Sequence, residues 1–543
     1  MSHVTVAHNA IASSSMMPSA SFPPSPSSRA SSLFRRGDVV RREIAPSRSN
    51  RASPWPSRPA LRSAGAALAL QKHEHNPSYD GTAIFGSALT RQYTPTHIGE
   101  LYGLEKRASP FARGGELWDR GYGQHFIDNS ESVGLNPLKT VETNEVAEDS
   151  AYSNERAVRA GAREVIYYDP KKVKAAIVTC GGLCPGLNNV IKQITITLED
   201  YGVEEILGIK YGFRGFFEKR SELEVPMKLT SAIVDDISDS GGSILGSSRG
   251  GSDTSAIVDE IEAMEIDMLF IIGGNGSHAG ALAIDKLCRE RKLATAIVGI
   301  PKTIDNDILL LDRTFGFQTA VDEAVKAIRS AKIEARSADN GIGLVRLMGR
   351  QSGFIAMHAA LASGSTDVCL IPEIECHLDG SGGVIAHIAR VLKKQNHAVV
   401  VVAEGAGQEQ LGSLGETDAS GNPILVNFAK YLQTRIKENV KGADVKYIDP
   451  TYMVRATPTN ASDAVYCSIL GQSAVHAAFA GLSAVTVGMV CGHYVYLPIE
   501  PVIAAARTVD PNGRMFERLR FAIGQPTFSN QITTTPDSAP AHT

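Results

Sequence analysis

The chain has 543 residues, of which 43% are hydrophobic, enough for more than one packed core. A formal net charge of -4, with no basic stripe in the globular part, argues against a nucleic-acid partner. No apolar run approaches the roughly 20 residues that span a bilayer, so a soluble mature protein without a membrane partner is expected.

Serine, proline and arginine dominate residues 1–70, and the only acids up to Gly65 are Asp38 and Glu43. Such a segment cannot bury enough apolar surface to offset its chain entropy, so disorder is expected. Rich in arginine and serine and poor in acids, it has the composition of an organellar transit peptide, with chloroplast favoured over mitochondrion. A merely disordered tail on a cytoplasmic protein is the alternative. Residues 71–165 read as an N-terminal extension and connector, including the acidic stretch "GLNPLKTVETNEVAEDS", and residues 528–543 as a disordered tail.

From Val173 onward, short apolar runs alternate with helical periods. The runs are "VKAAIVTC" (173–180), "IDMLFIIGG" (266–274), "ATAIVGIP" (294–301), "GIGLVRLMG" (341–349), "VCLIPE" (368–373), "AVVVVAEG" (398–405) and "SAVTVGMV" (483–490). Continuous apolar runs, in place of alternation, suit parallel strands covered on both faces. Helix spacing appears between them, as at Val321, Val325, Ile328 and Ala331. The expected fold is therefore α/β, with two doubly wound α/β domains and the active site in the cleft between them.

Unusual residues collect at the carboxyl ends of these strands. "TCGGLCPGLN" turns through Gly181, Gly182 and Gly186 into a helix, where backbone N–H groups can approach an anion; tight packing is the alternative reading. "GGNGSHAG" repeats the pattern with Gly273, Gly274, Asn275, Gly276 and Ser277 ahead of a helix expected from about Ala279. "SGGSILGSSRGG" adds Arg249 and Gly250. Three glycine-rich turns with an arginine imply several phosphates. In "VGIPKTIDND", a chain extended past Pro301 would point Thr303, Asp305 and Asp307 one way and Ile304 and Ile308 the other. Two carboxylates beside a polyphosphate suit a base for a hydroxyl and an anchor for Mg²⁺. Helix capping is the competing role, yet no strongly periodic helix starts until near Thr319.

"TCGGLCPGLN", "LGSSRGG", "GGNGSHAG", "PKTIDND", "TFGFQTA", "LMGRQSGFIA", "VAEGAG" and "YMVR" occur in the order seen in phosphofructokinases. Residues 165 to 527 resemble the plant-type ATP-dependent 6-phosphofructokinases. The resemblance implies transfer of the γ-phosphoryl of ATP to the 1-hydroxyl of fructose 6-phosphate, with Mg²⁺. It implies an ATP-binding domain at 166–320, completed by about 456–527, and a fructose 6-phosphate-binding domain at 321–455. Asp305 would accept the hydroxyl proton, kept ionised by nearby arginines and the metal. Thr303, beside Ile304, would hold substrate or the transferring phosphoryl, and Asp307 would order the metal or the Asp305 carboxylate.

The resemblance also implies that Gly181, Arg249, Gly250, Gly273, Gly274, Asn275, Gly276 and Ser277 receive ATP. Met348, Gly349 and Arg350 match a sugar-phosphate contact, with Arg350 also in the catalytic set, and Glu404 matches an acceptor for sugar hydroxyls. Tyr452 and Arg455, with Met453 and Val454 between them, match a 6-phosphate clamp. Asn275 stands where the wider family has an aspartate near Mg²⁺. Gly276 leaves room for a nucleotide where pyrophosphate users carry aspartate, whereas Lys302 is typical of pyrophosphate users; Gly276 decides for ATP. A pyrophosphate-dependent enzyme and a non-catalytic regulatory subunit are the alternatives. Family members assemble into homo-oligomers, so a dimer or tetramer is expected. The seven cysteines show no zinc spacing and read as buried thiols of a reducing compartment, with redox control at Cys180 and Cys184 the alternative.

Overall fold

Strands that are apolar on both faces need cover on both sides, and the chain supplies it in two sheets. The computed structural model describes residues 93–113, 115, 125–135, 155–218, 225–251, 253–412, 415–417 and 424–528. All of them belong to one compact unit, Glu74–Thr543. The expected transit segment, most of the acidic connector and the expected tail after Phe528 lie outside the described residues.

The first sheet has nine strands, in the order Ser132–Gly134, Arg156–Arg159, His493–Pro498, Val485–Val490, Ala296–Pro301, Met268–Gly273, Lys174–Thr179, Glu205–Ile209 and Met227–Lys228. Its five inner strands, from Val485–Val490 to Glu205–Ile209, run parallel. The outer ones are antiparallel, so this sheet is mixed where the sequence led us to expect a parallel one. The reason is physical: the apolar-run criterion finds strands buried on both faces, and an outer strand such as Arg156–Arg159 buries only Ala157. The second sheet, ordered Val368–Leu370, His397–Ala403, Gly341–Leu347 and Asp444–Ile448, is parallel throughout.

Each inner strand divides its side chains between two cores. Met268, Phe270 and Ile272 face the layer holding the helices Leu187–Tyr201 and Ala461–Phe479, while Leu269 and Ile271 face the Thr254–Ala263 and Asn275–Glu290 layer. In the second sheet Val399, Val401 and Ala403 pack toward the helices Phe317–Arg336 and Phe354–Ser363, and Ala398, Val400 and Val402 toward Val384–Gln395 and Phe428–Asn439. One core contains both Val298 of the first sheet and Val345 of the second. This shared core fixes the strand ends of one sheet against those of the other.

The edge strand Val368–Leu370 is closed by a side chain. The Gln525 amide accepts from the Cys369 N–H at 2.7 Å and donates to the Cys369 carbonyl at 3.2 Å, standing in for a further strand. Gln525→Ala would leave both backbone groups unpaired in a buried place, at a cost of about 1–3 kcal/mol. In urea denaturation the midpoint is expected to fall while the slope stays at the parent value.

Candidate active site

Lys174–Thr179 ends at Cys180, and the chain then turns through Gly181 at φ 89°, a left-handed geometry that suits glycine. The Gly181 N–H donates to the Ser248 carbonyl at 2.9 Å, and Ser247 Oγ donates to the Gly181 carbonyl at 2.7 Å. Lys302 Nζ donates to the Gly182 carbonyl at 2.7 Å. A methyl group added at Gly182 would lie 3.6 Å from Arg455 Nη1 and 3.7 Å from Arg249 Nη2. Three cationic side chains therefore converge on one glycine turn.

The second glycine turn is tighter than its sequence suggests. The helix begins at Asn275, with Gly274 as N-cap and no side-chain cap, so Asn275, Gly276 and Ser277 form its first turn; the expected start near Ala279 is too late. Glycine permits the short turn because a side chain at 273 would collide with Ser277. The Ser277 N–H donates to the Gly274 carbonyl at 3.0 Å, which leaves the Asn275 and Gly276 N–H groups for an anion. A β-carbon at position 276 would meet nothing within 4 Å.

After Pro301 the chain does not stay extended. Asn306 takes φ 58°, its Oδ1 accepting from the Thr314 N–H at 3.0 Å, and Thr314 Oγ1 donates to the Thr303 carbonyl at 2.6 Å. These bonds fold the segment into a fixed loop. Ser352 Oγ donates to the Asp305 carbonyl at 3.0 Å, and the Arg507 N–H to the Asp307 carbonyl at 2.8 Å. Thr303, Asp305 and Asp307 all line one cavity, and so does Ile304, which alternation placed on the other side, because the bend breaks the two-residue period; Asn306 and Ile308 are buried.

That cavity holds about 930 Å³. All three glycine turns contribute to its wall, through Gly181, Arg249, Gly250, Gly274, Asn275, Gly276 and Ser277. Lys302, Arg350 and Arg455 add cationic lining, and Met348 lines the cavity as well. Apolar lining comes from Phe213, Ile257, Ala279, Ala283 and Ile284, of which only Ala279 falls in a motif noted from the sequence. The signal for Phe213 is the aromatic and glycine run "YGFRGF" after the strand Glu205–Ile209.

Burial pushes the Asp305 carboxyl well above the usual carboxylate range, and the nearby Asp307 and Glu404 add to the shift. Lys302 and Arg350 oppose it without cancelling it. Burial also raises Asp307, against a hydrogen bond from Thr303. Lys302 is lowered by its own burial. Asp305 and Asn275 line the cavity, and one oxygen of each, Oδ1, is buried with no hydrogen-bond partner. Burial raises both thiols beside the first turn, Cys180 to about 12, so they stay protonated and behave as ordinary buried thiols.

Other residues named from the sequence stand off the cavity wall. Gly273 lies in the strand beneath it, and Gly349 turns the chain between Met348 and Arg350 at φ 123°. Val454 is packed into the core, while Tyr452 and Met453 are 77% and 70% exposed. Of that tetrad only Arg455 reaches the cavity, its guanidinium 5.2 Å from the Tyr452 ring centre and its Nε buried without a partner. Glu404 is held by Arg346 at 2.9 Å.

A family model described as Phosphofructokinase matches residues 174–478. The chain is 53% identical over 412 residues to ATP-dependent 6-phosphofructokinase 5, chloroplastic, of Arabidopsis thaliana, which covers 74% of this chain and 76% of that protein. It is 42% identical over 414 residues to the ATP-dependent 6-phosphofructokinase of Borreliella burgdorferi, covering 74% and 91% of the two chains. Among solved structures, Pichia pastoris phosphofructokinase in the T-state superposes with a TM-score of 0.52 at 23% identity, covering 61% of this chain and 35% of that longer one. The pyrophosphate-dependent phosphofructokinase of Marinobacter aquaeolei gives 0.54 at 18% identity, covering 68% and 95%. These two structures share the fold.

The raised carboxyl has a consequence for stability. Asp305 binds a proton more readily folded than unfolded, so above its unfolded value of about 3.9 its ionisation opposes folding, increasingly until the folded value is passed. Asp305→Asn removes that cost. In ligand-free protein the variant is expected to melt about 1–3 °C above the parent at neutral pH, the difference shrinking toward zero as pH falls to about 4. Thermal unfolding across that range checks it; a variant that melts lower at neutral pH contradicts it.

Proposed function

This chain belongs to the phosphofructokinase family, and from that premise we infer that it phosphorylates the 1-hydroxyl of fructose 6-phosphate with ATP. The observation that carries the reading is the Asp305 carboxyl. It is buried between Lys302 and Arg350 in the same cavity as an uncapped helix N-terminus and the open position at Gly276.

In this account the nucleotide phosphates rest on the first turn of Asn275–Glu290 and on the Gly181–Gly182 turn, where Arg249 and Lys302 balance their charge. The apolar lining formed by Phe213, Ile257, Ala279, Ala283 and Ile284 takes the nucleobase, a feature for which pyrophosphate has no use. Asp305 accepts the proton of the sugar hydroxyl as that oxygen attacks phosphorus. Its raised basicity brings it closer to the operating pH, where a general base is most effective. Arg350 steadies charge on the moving phosphoryl, Thr303 orients the acceptor, and Asp307 holds Asp305 in its high-pKa state. Glu404 accepts from sugar hydroxyls, and Arg455 pairs with the sugar's phosphate.

A magnesium ion fits the two partnerless oxygens, Asn275 Oδ1 and Asp305 Oδ1, which are hard donors of the kind that ion prefers. When bound it supplies positive charge against the phosphates. We also assign the protein to the plastid, on the arginine- and serine-rich composition of residues 1–70 and its likeness to a chloroplastic relative, and expect a homo-oligomer.

Purified protein given fructose 6-phosphate and γ-labelled ATP is expected to move the label into a sugar bisphosphate. Label transfer from pyrophosphate alone would overturn the choice of donor, and transfer from neither the whole reading. A second test uses pH. Because the Asp307 charge raises Asp305, removing it lowers the pH at which Asp305 gains its proton. The acid limb of kcat/KM in Asp307→Asn should move to lower pH than in the parent, whatever happens to its height. An unmoved limb would remove Asp305 as the titrating base.

A further inference from the structure

Arg346 lies inside the apolar run "GLVRLMG", where the sequence gives no reason to look for a charge with a task. The three neighbouring strands His397–Ala403, Gly341–Leu347 and Asp444–Ile448 run parallel, with Arg346 opposite Val402 on one side and Val345 opposite Ile448 on the other. Arg346 thus stands near the carboxyl end of the middle strand, and a carboxylate follows the end of each neighbour: Glu404 directly after Ala403, and Asp449 directly after Ile448.

Its guanidinium holds both. Nη2 donates to Glu404 Oε2 at 2.9 Å and Nη1 to Asp449 Oδ2 at 3.0 Å, with Thr451 Oγ1 3.5 Å from Nη1. The three side chains are sheltered, at 18%, 13% and 29% exposure for Arg346, Glu404 and Asp449. The bond to Asp449 reaches further. Asp449 Oδ1 accepts from the Thr451 N–H at 3.2 Å and from the Thr451 hydroxyl, and Tyr447 OH donates to Asp449 Oδ2 at 3.1 Å. Thr451 opens the short helix Thr451–Arg455, whose last residue reaches the cavity. Arg346 itself does not line the cavity described above.

We propose that Arg346 is a positioning residue for the sugar phosphate: it ties Glu404 to the Asp449–Arg455 segment so that both present one geometry to the ligand. This rests on the reading that Glu404 and Arg455 receive fructose 6-phosphate. Without the guanidinium, two carboxylates would face each other across one strand with nothing between them. A lysine keeps the charge but lacks the planar fork, so it can satisfy one carboxylate only. Phe213, Ile257 and Ile284, assigned to the nucleobase, pack in a core of the first sheet, which contains none of the bridge residues.

The test is Arg346→Lys in the full chain, with both substrates titrated. The KM for fructose 6-phosphate is expected to rise about 10-fold or more while that for ATP stays within about twofold. Placed on Glu404→Gln, the lysine should cost less than the product of the two single effects, because the bond at position 404 has already lost its charge assistance. An unchanged sugar-phosphate KM, an equal rise in both KM values, or fully multiplicative effects would each overturn the proposal. If the parent protein itself fails to use fructose 6-phosphate, the functional reading fails and the proposal falls with it, an outcome visible before any variant is made.

Discussion

Withdrawal of one carboxyl group from water governs the chemistry of this site. Asp305 sits where two sheets meet over a shared core, and its ionised form loses more from burial and from Asp307 and Glu404 than it regains from Lys302 and Arg350. A protein selected only for stability would relieve that imbalance with a hydrogen bond. Here the oxygen Oδ1 is left without one, as is the Asn275 amide oxygen, and both residues line the same cavity. Unsatisfied buried atoms are costly, so two of them on residues of one cavity point to a functional place.

Such a group can be kept in place only by a backbone that cannot relax. The loop bearing Asp305 is tied from three directions: by Thr314 within its own segment, by Ser352 from the second sheet's side, and by Arg507 from near the end of the described chain. Asn306 takes the left-handed conformation that lets the loop bend, and its side chain closes the bend on Thr314. The same logic extends outward to Arg346, which restrains Glu404 and Asp449 at the ends of neighbouring strands. Loops at this site are therefore fixed by side-chain and backbone bonds, several of them from distant parts of the sequence.

That dependence explains how much could be read in advance. All seven continuous apolar runs form strands, since burial on both faces leaves a plain mark on composition. The antiparallel outer strands left no such mark, and Glu205–Ile209, with a glycine and a leading glutamate, was too mixed to recognise. At the site, Thr303, Asp305 and Asp307 share a cavity from which Ile308 is absent, yet Ile304, expected to point away, lines it too, and the extended geometry behind the expectation is absent, because the bend depends on Thr314, further along the chain. The early start of the Asn275 helix was hidden because its first turn holds Asn275 and Gly276, residues of low helix propensity. Phe213 and Ala283 joined the cavity only through folding, and Arg346 was hidden by the apolar residues around it.

The measurement that bears most directly on this account is an isotope-edited infrared titration of the aspartate carboxyls in ligand-free protein, with the Asp305→Asn spectrum subtracted. The account predicts a protonated-carboxyl band that persists well above the ordinary aspartate value of about 3.9 and vanishes with the same midpoint as the rise of kcat/KM for fructose 6-phosphate. A band that titrates in the ordinary range, or far from that kinetic midpoint, would contradict it.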